Sequence, residues 1–191
     1  MKHIMLDTET LATTADAVIM SIGAVRFGLD SGQIEDQGFY ASISIDSNLE
    51  LSRRIDEDTL IWWLRQPQQA QAVFCEPKVP LRQALMNLAD WISTDDCQVW
   101  SNGANFDLPL LAHAYAHCGM ELPWHYGNTN CVRTYRRLPG AQDVPRPDST
   151  GEHNALLDAY GQALHVMAVH RQLFGAPLPA RPAAAQLKAQ P

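Results

Sequence analysis

The stretch Met1-Lys2-His3-Ile4-Met5-Leu6-Asp7-Thr8-Glu9-Thr10 organises the chain. Ile4, Met5 and Leu6 form an apolar run that leads straight into two acids, which fits a short buried strand. Residues two apart on a strand leave the same face, so Asp7 and Glu9 emerge side by side. Two carboxylates on one face repel each other and resist leaving water unless a cation lies between them. Carboxylates are hard oxygen ligands, and the cations that suit them are Mg²⁺ or Mn²⁺. The plainer reading of Asp-x-Glu is a solvated strand end. The rest of the chain has to decide between the two.

A length of 191 residues with 46% hydrophobic side chains predicts one globular domain with a sizeable core. Acids outnumber bases 21 to 14, for a formal charge of −7. That balance argues against a coater of duplex DNA, which needs many cations to neutralise phosphates. It leaves room for an enzyme that holds one nucleic-acid end through metal ions, since bound cations would offset its carboxylates locally. Cys75, Cys97, Cys118 and Cys131 form no CxxC pair, and no signal peptide or membrane-length apolar run occurs. The expectation is a soluble, cytoplasmic protein with reduced thiols and no membrane association.

Outward from the first strand, residues 17–29 and 37–45 read as two further strands joined through Asp30-Ser31-Gly32, giving a three-stranded antiparallel meander. Residues 11–16 read as a loop beside the acids. Asp56 is the expected N-cap of a helix running through Trp62-Trp63, with acids in its first turn. Pro67 ends it, and 68–75 reads as another short helix. Adjacent helical residues point about 100° apart, so the two tryptophans cannot both face one core, although ordinary packing of both is the alternative to any role outside it. One is expected inside, the other over a partner, a groove or a base. Leu81, Leu85, Leu88 and Ile92 mark a helix over Pro80 to Ser93. Strand 98–101, helix 106–118, a short helix within 130–138 and a long helix over 152–174 follow. The expected division is one domain over 1–175 and a loose Pro/Ala-rich tail over 176–191.

Two more acidic segments accompany the opening pair. In Asn102-Gly103-Ala104-Asn105-Phe106-Asp107 the glycine permits a sharp turn, Phe106 can anchor in the core and Asp107 opens a helix. An acid there also suits the helix dipole without any further role. In Glu152-His153-Asn154-Ala155-Leu156-Leu157-Asp158-Ala159, Asp158 leaves an apolar stretch and needs a partner. His153 lies five residues earlier, about 140° around an ideal helix, so it reaches the same site only from the loop or helix start. Its unperturbed pKa suits taking a proton from water near neutrality.

Asp7-Thr8-Glu9-Thr10, then Asn102-x-x-x-Phe106-Asp107, then His153-x-x-x-x-Asp158-Ala159 resemble, as a set, the histidine-containing branch of the DEDD 3′–5′ exonucleases (DEDDh). The resemblance runs from residue 3 to about 172. Arg54-Ile55-Asp56, Thr59-Leu60, Trp62-Trp63 and Gln66 resemble a narrower branch. That branch includes phage-type DNA exonucleases, exodeoxyribonuclease VIII-like proteins and a bacterial ribonuclease that trims RNA 3′ ends. Leu11 stands where proofreading relatives carry a glycine.

The resemblance implies an α/β fold of the ribonuclease H-like class: a mixed five-stranded central sheet, including the meander, flanked by helices. It implies two divalent metal ions, Mg²⁺ or Mn²⁺, and hydrolysis at single-stranded RNA or DNA 3′ ends, RNA slightly favoured. Asp7, Glu9, Asp107 and Asp158 would hold the metals, Asp107 mainly through water, and His153 would be the general base. Thr10 and Leu11 would meet the terminal nucleotide. Asn102 and Asn105 would orient Asp107 or touch substrate, unless they serve only the turn. Arg133 is a candidate phosphate contact, with a solvated basic helix face as the alternative, and Trp63 a candidate stacking or interface residue. A homodimer is a candidate assembly. Two rivals stand beside this reading. One is a zinc site from His113, His117, Cys118, His125 and Cys131, whose spacing fits no compact zinc pattern. The other is a catalytically silent nucleic-acid-binding or interaction module on the same fold.

Overall fold

The computed structural model describes residues 2–93, 96–103, 105–146, 153–175 and 188–190. Three strands open the chain: β1 (His3–Thr10), β2 (Ile19–Phe27) and β3 (Gln37–Ser42). They pair antiparallel in sequence order, as the expected meander requires. A short helix that the sequence did not announce, α1 (Ile45–Leu49), follows. Next come α2 (Glu57–Leu64), α3 (Gln68–Gln71) and α4 (Leu81–Ile92). Asp56 caps α2 as expected, its carboxylate accepting from the Asp58 N–H. The second half holds β4 (Gln98–Ser101), α5 (Asp107–His117), β5 (Thr129–Cys131), α6 (Val132–Tyr135) and α7 (Ala155–Phe174). A final strand, β6, covers Lys188–Gln190.

The sheet order is β5-β4-β1-β2-β3-β6. β4 runs parallel to β1 and β5 parallel to β4, so the first five strands form the expected mixed sheet. β6 adds a sixth strand, parallel to β3. Of the expected loose tail, residues 176–187 and 191 lie outside the described residues, and 188–190 form this strand.

Strand alternation sorts the core into two faces. Ile4 and Leu6, with Ile22, Ala24 and Phe39, pack under α4 and α5 through Leu81, Leu85, Leu88, Leu108 and Leu111. Met5, with Val25, Phe27 and Trp100, packs on the other face against Ala159, Ala163, Val166 and Met167 of α7. Ile4, Met5 and Leu6 are at most 2% exposed. Burying each contributes about 2 kcal/mol, which anchors the strand that carries the acids.

α7 lies close on its face because the chain withholds side chains there. Gly23 pairs with Asp7 across the β1–β2 ladder. A Cβ on Gly23 would sit 2.2 Å from the Ala155 carbonyl carbon and the Leu156 nitrogen, so only glycine admits the first turn of α7. At Gly38 a Cβ would come within 2.5 Å of Leu156 Cδ1 and 2.9 Å of the Ala24 carbonyl oxygen. Ala155, Ala159 and Ala163 complete the close fit and are fully buried.

Candidate active site

Asp7 and Glu9 share Met5's face of β1, the face covered by α7. Asp158 lies in the first turn of α7. Asn154 fixes that turn: its side-chain oxygen accepts from the Leu156 and Leu157 N–H groups, both at 3.1 Å. Gln162, one turn beyond Asp158, donates to Asp7 Oδ1 at 2.7 Å. Thr8 faces the opposite way, toward α5, and its hydroxyl donates to Asp107 Oδ1 at 2.8 Å. One tripeptide therefore reaches the acids of both flanking helices.

His153 directly precedes the Asn154 cap, with a left-handed backbone at φ 63°. That conformation is uncommon for a side chain with a Cβ and costs on the order of 1 kcal/mol. It points the imidazole back over the sheet. One ligand atom each from Glu9, His153 and Asp158 all lie within 4.8 Å of one another. The loop position that the helical spacing demanded of His153 is the one observed. Two tryptophans wall the imidazole, Trp62 at 4.7 Å and Trp63 at 5.9 Å between ring centroids, both edge-on.

The carboxylates make one electrostatic unit. Burial pushes Glu9 up to about 8, with the Asp158 and Asp107 charges adding to it. Burial likewise raises Asp7 far above the usual carboxylate range, with Asp107, Glu9 and Asp158 adding and the Gln162 hydrogen bond opposing. Asp107 is pushed up to about 6 by burial, against the Thr8 hydroxyl, nearby backbone N–H groups and the Arg133 charge. Asp158 is raised by burial and lowered by His153. At 4.8 Å, two unit charges repel by roughly 3.5 kcal/mol at an effective dielectric of about 20. None of these carboxylates has an ion pair among the described residues. Buried hard oxygens with unmatched charge fit a divalent cation, and the same residues would hold it.

Beside Glu9 opens a cleft of about 440 Å³, lined by Thr8, Thr10, Thr13, Asp58, Thr59, Trp62, Trp63 and Phe106. Buried Arg53 holds the 11–18 loop that forms one wall, through hydrogen bonds to the Ala15 and Ala17 carbonyls. Thr10 lines the cleft, and its carbonyl accepts from the Trp63 indole N–H at 2.9 Å.

Other expected contacts fall differently. Leu11 and Trp63 are each 1% exposed and pack with Val18, Met20, Ala70 and Val73. Leu11 therefore has no open face for a base, and the exposed ring of the tryptophan pair is Trp62, at 42%. Asn102 is half-buried and Asn105 exposed. No hydrogen bond links either to Asp107 among the described residues; Thr8 is the group that orients that acid. Arg133 is exposed, and its guanidinium lies over Gly103, 3.6 Å from where a Cβ would stand. The His113 and His117 rings lie 4.4 Å apart, tilted by 31°, but among the described residues no third ligand joins them. Gly23 and Gln162 are site-building residues that the sequence did not single out for the site; Trp62 takes the groove position expected of one of the two tryptophans, and Phe106, expected as a core anchor, is half-buried and lines the cleft. A glycine in mid-strand and a glutamine four residues after Asp158 were the available signals.

No curated protein matches the chain in sequence. Its fold is similar to that of E. coli exonuclease I in complex with a dT13 oligonucleotide, with a TM-score of 0.60 at 14% identity over 89% of this chain and 41% of that one. A zinc-bound complex of the same E. coli enzyme with single-stranded DNA gives 0.59 at 13% identity, over 91% and 41%. A product-bound exonuclease I gives 0.58 at 15%, over 90% and 43%. The chain thus spans about two fifths of the length of these structures, and the likeness shows the ribonuclease H-like fold. A family model described as the 3′–5′ exoribonuclease Rv2179c-like domain matches residues 2–170. With acids and histidine converging on that fold and the match covering nearly the whole chain, the protein belongs to the 3′–5′ exoribonuclease Rv2179c-like domain family.

Proposed function

We propose that the chain is a metal-dependent 3′–5′ exonuclease that hydrolyses single-stranded nucleic acid from its 3′ end, RNA in preference to DNA, and releases nucleoside 5′-monophosphates. The convergence of Glu9, His153 and Asp158 on one point beside an open cleft carries the reading. The family description supports RNA as the favoured strand. Two divalent cations, held by Asp7, Glu9, Asp107 and Asp158, would supply charge stabilisation at the attacking and leaving oxygens.

The chain's own residues do the rest. His153 takes the proton from the attacking water, whose oxygen bonds to phosphorus while the bond to the 3′ oxygen of the preceding nucleotide breaks. That oxygen leaves with a proton from solvent. Trp62 and Trp63 fix the imidazole edge-on. Thr8 holds Asp107 and Gln162 holds Asp7, so two of the acids are oriented before substrate arrives. The cleft takes the terminal nucleotide, with Trp62 and Phe106 offering apolar surface and Thr13 and Thr59 offering hydroxyls. Its volume suits one nucleotide, since ligand pockets run from about 300 to 1,000 Å³.

The test is 5′-labelled RNA and DNA of one sequence with Mg²⁺ or Mn²⁺, beside Asp107→Ala and an EDTA control. The expected result is a ladder shortening from the 3′ end, faster on RNA, and slowed by about a thousandfold in the variant. Intact strands with a folded, metal-stabilised wild type would overturn the reading in favour of a binding module.

A further inference from the structure

A second concavity lies away from the carboxylates. It has a volume of about 300 Å³ and is lined by Arg136, Arg137, Arg146, Gln142 and His165, among others. Four of the chain's 14 lysines and arginines fall between residues 133 and 146, in a protein of net charge −7. The cluster is therefore a local concentration against the global balance. Among the described residues, no acid pairs with Arg136, Arg137 or Arg146. Burial and then the neighbouring Arg146, Arg133 and Arg137 charges lower the pKa of Arg136, so the cations stand close enough to repel. A merely solvated basic face would spread such charges outward; here they share a hollow.

The wall of that hollow carries a second, independent signal. His165 is only 5% exposed; the Pro145 backbone meets its ring, and its Nδ1 has no hydrogen-bond partner. A buried polar atom without a partner is rare and calls for one. Guanidinium forks match phosphate oxygens, often in pairs of parallel hydrogen bonds. The volume is at the small end for ligand sites, room for one phosphoryl group and its flanking sugar.

We propose that this cavity is a phosphate-binding site, formed by Arg136, Arg137 and Arg146 with His165 in its wall. The phosphate comes either from the backbone of a nucleic-acid strand or from free phosphate or a mononucleotide. The geometry favours the strand. Arg133, one helical turn before Arg136, lies over Gly103, and its charge acts on both Asp107 and Arg136. The basic groups thus run from the edge of the carboxylate site to the cavity. The strand as occupant rests on the exonuclease reading; the phosphate chemistry does not.

The experiment uses the full chain in EDTA, where nothing is cleaved. Binding of a 5′-fluorescein oligouridylate is followed by anisotropy across a salt series. Binding of inorganic phosphate and of uridine monophosphate is followed through the His165 imidazole resonance, assigned with His165→Gln. Wild type is compared with the double variant Arg136→Gln/Arg146→Gln, with Arg136→Lys/Arg146→Lys, and with Lys2→Gln as a remote charge control. The expected double-Gln variant binds the strand about tenfold more weakly, with a salt slope shallower by about 1.4, two contacts at about 0.7 each. The lysine pair recovers the slope, and Lys2→Gln leaves wild-type behaviour. A phosphate-induced His165 shift that the double-Gln variant loses, with its strand slope unaltered, supports the site and assigns it to free phosphate. An unaltered slope together with an unmoved His165 resonance overturns the proposal. Because no cleavage is read, a protein without nuclease activity that shows the slope change loses the exonuclease reading and keeps this site.

Discussion

The two faces of the central sheet are built by opposite means. Under α4 and α5, large side chains fill space: Leu81, Leu85 and Leu88 meet Ile4, Leu6, Ile22 and Phe39. Under the first turns of α7, space is removed: Gly23 and Gly38 strip the sheet, and Ala155, Ala159 and Ala163 strip the helix, while Met5, Phe27 and Trp100 fill the rest of that face. The filled face stores stability. The stripped face sacrifices apolar contact to bring a helix terminus within hydrogen-bonding reach of the acids on β1. Close approach, rather than volume, is what positions Asp158 and Gln162.

The largest effect should come from restoring one atom to the stripped face. Gly23→Ala sets a Cβ against backbone that cannot rotate away, so α7 must lift off Asp7. A destabilisation of about 3 kcal/mol is expected, with loss of cleavage even in the folded fraction, as chemical unfolding and activity per folded molecule would show. If Gly23→Ala keeps its activity, the close approach does not position the site.

The second effect sharpens the contrast. Leu88→Ala empties space on the filled face and should cost about 3 kcal/mol as well. Activity per folded molecule should stay near wild type, because no site residue rests on Leu88. Equal losses of specific activity in the two variants would erase the distinction between the faces.

The smallest effect is one of slope. Glu9 holds its proton up to about pH 8 in the folded, metal-free protein, against 4.5 for a free side chain. Between those values the folded state binds the extra proton, so this contribution to stability is present at low pH and is lost as pH rises through about 8. The melting temperature of the EDTA-treated protein should therefore fall between mildly acidic and mildly alkaline buffer. Glu9→Gln should flatten that fall, and Mn²⁺ should reverse it in the wild type alone, as thermal melts across pH would register.

Much of this could be read from local signals. The meander, the Asp56 cap and the α4 stripe announce themselves through period and punctuation, which are properties of a few neighbouring residues. Asp7 and Asp158 were legible because each leaves an apolar run, Glu9 because it shares a strand face with Asp7, and Asp107 only through the spacing it shares with the family it resembles. The stripped face was not legible, because Gly23 in mid-strand reads as weakness until the helix that lies on it is known. Trp62 and Trp63 could be assigned opposite fates, but Trp63 is the one that reads as the stacking ring, and the structure buries it against Leu11 and exposes Trp62; that choice is a tertiary fact. β5 and β6 are three residues each, too short for a period to show. The arginine cavity needed α6 and α7 side by side before its residues, scattered from 136 to 165, had a common meaning.

The hydrogen bond from Thr8 to Asp107, set between two acids that face the other way, has a consequence for how such a chain can drift. The identity of each apolar residue in β1 is negotiable within its own face, so one apolar side chain can replace another at Ile4, Met5 or Leu6. The count of residues is not. One residue inserted or lost between His3 and Asp7 would turn Thr8 toward α7 and both acids toward α5 in a single step. For this strand, inheritance is tolerant of spelling and intolerant of length.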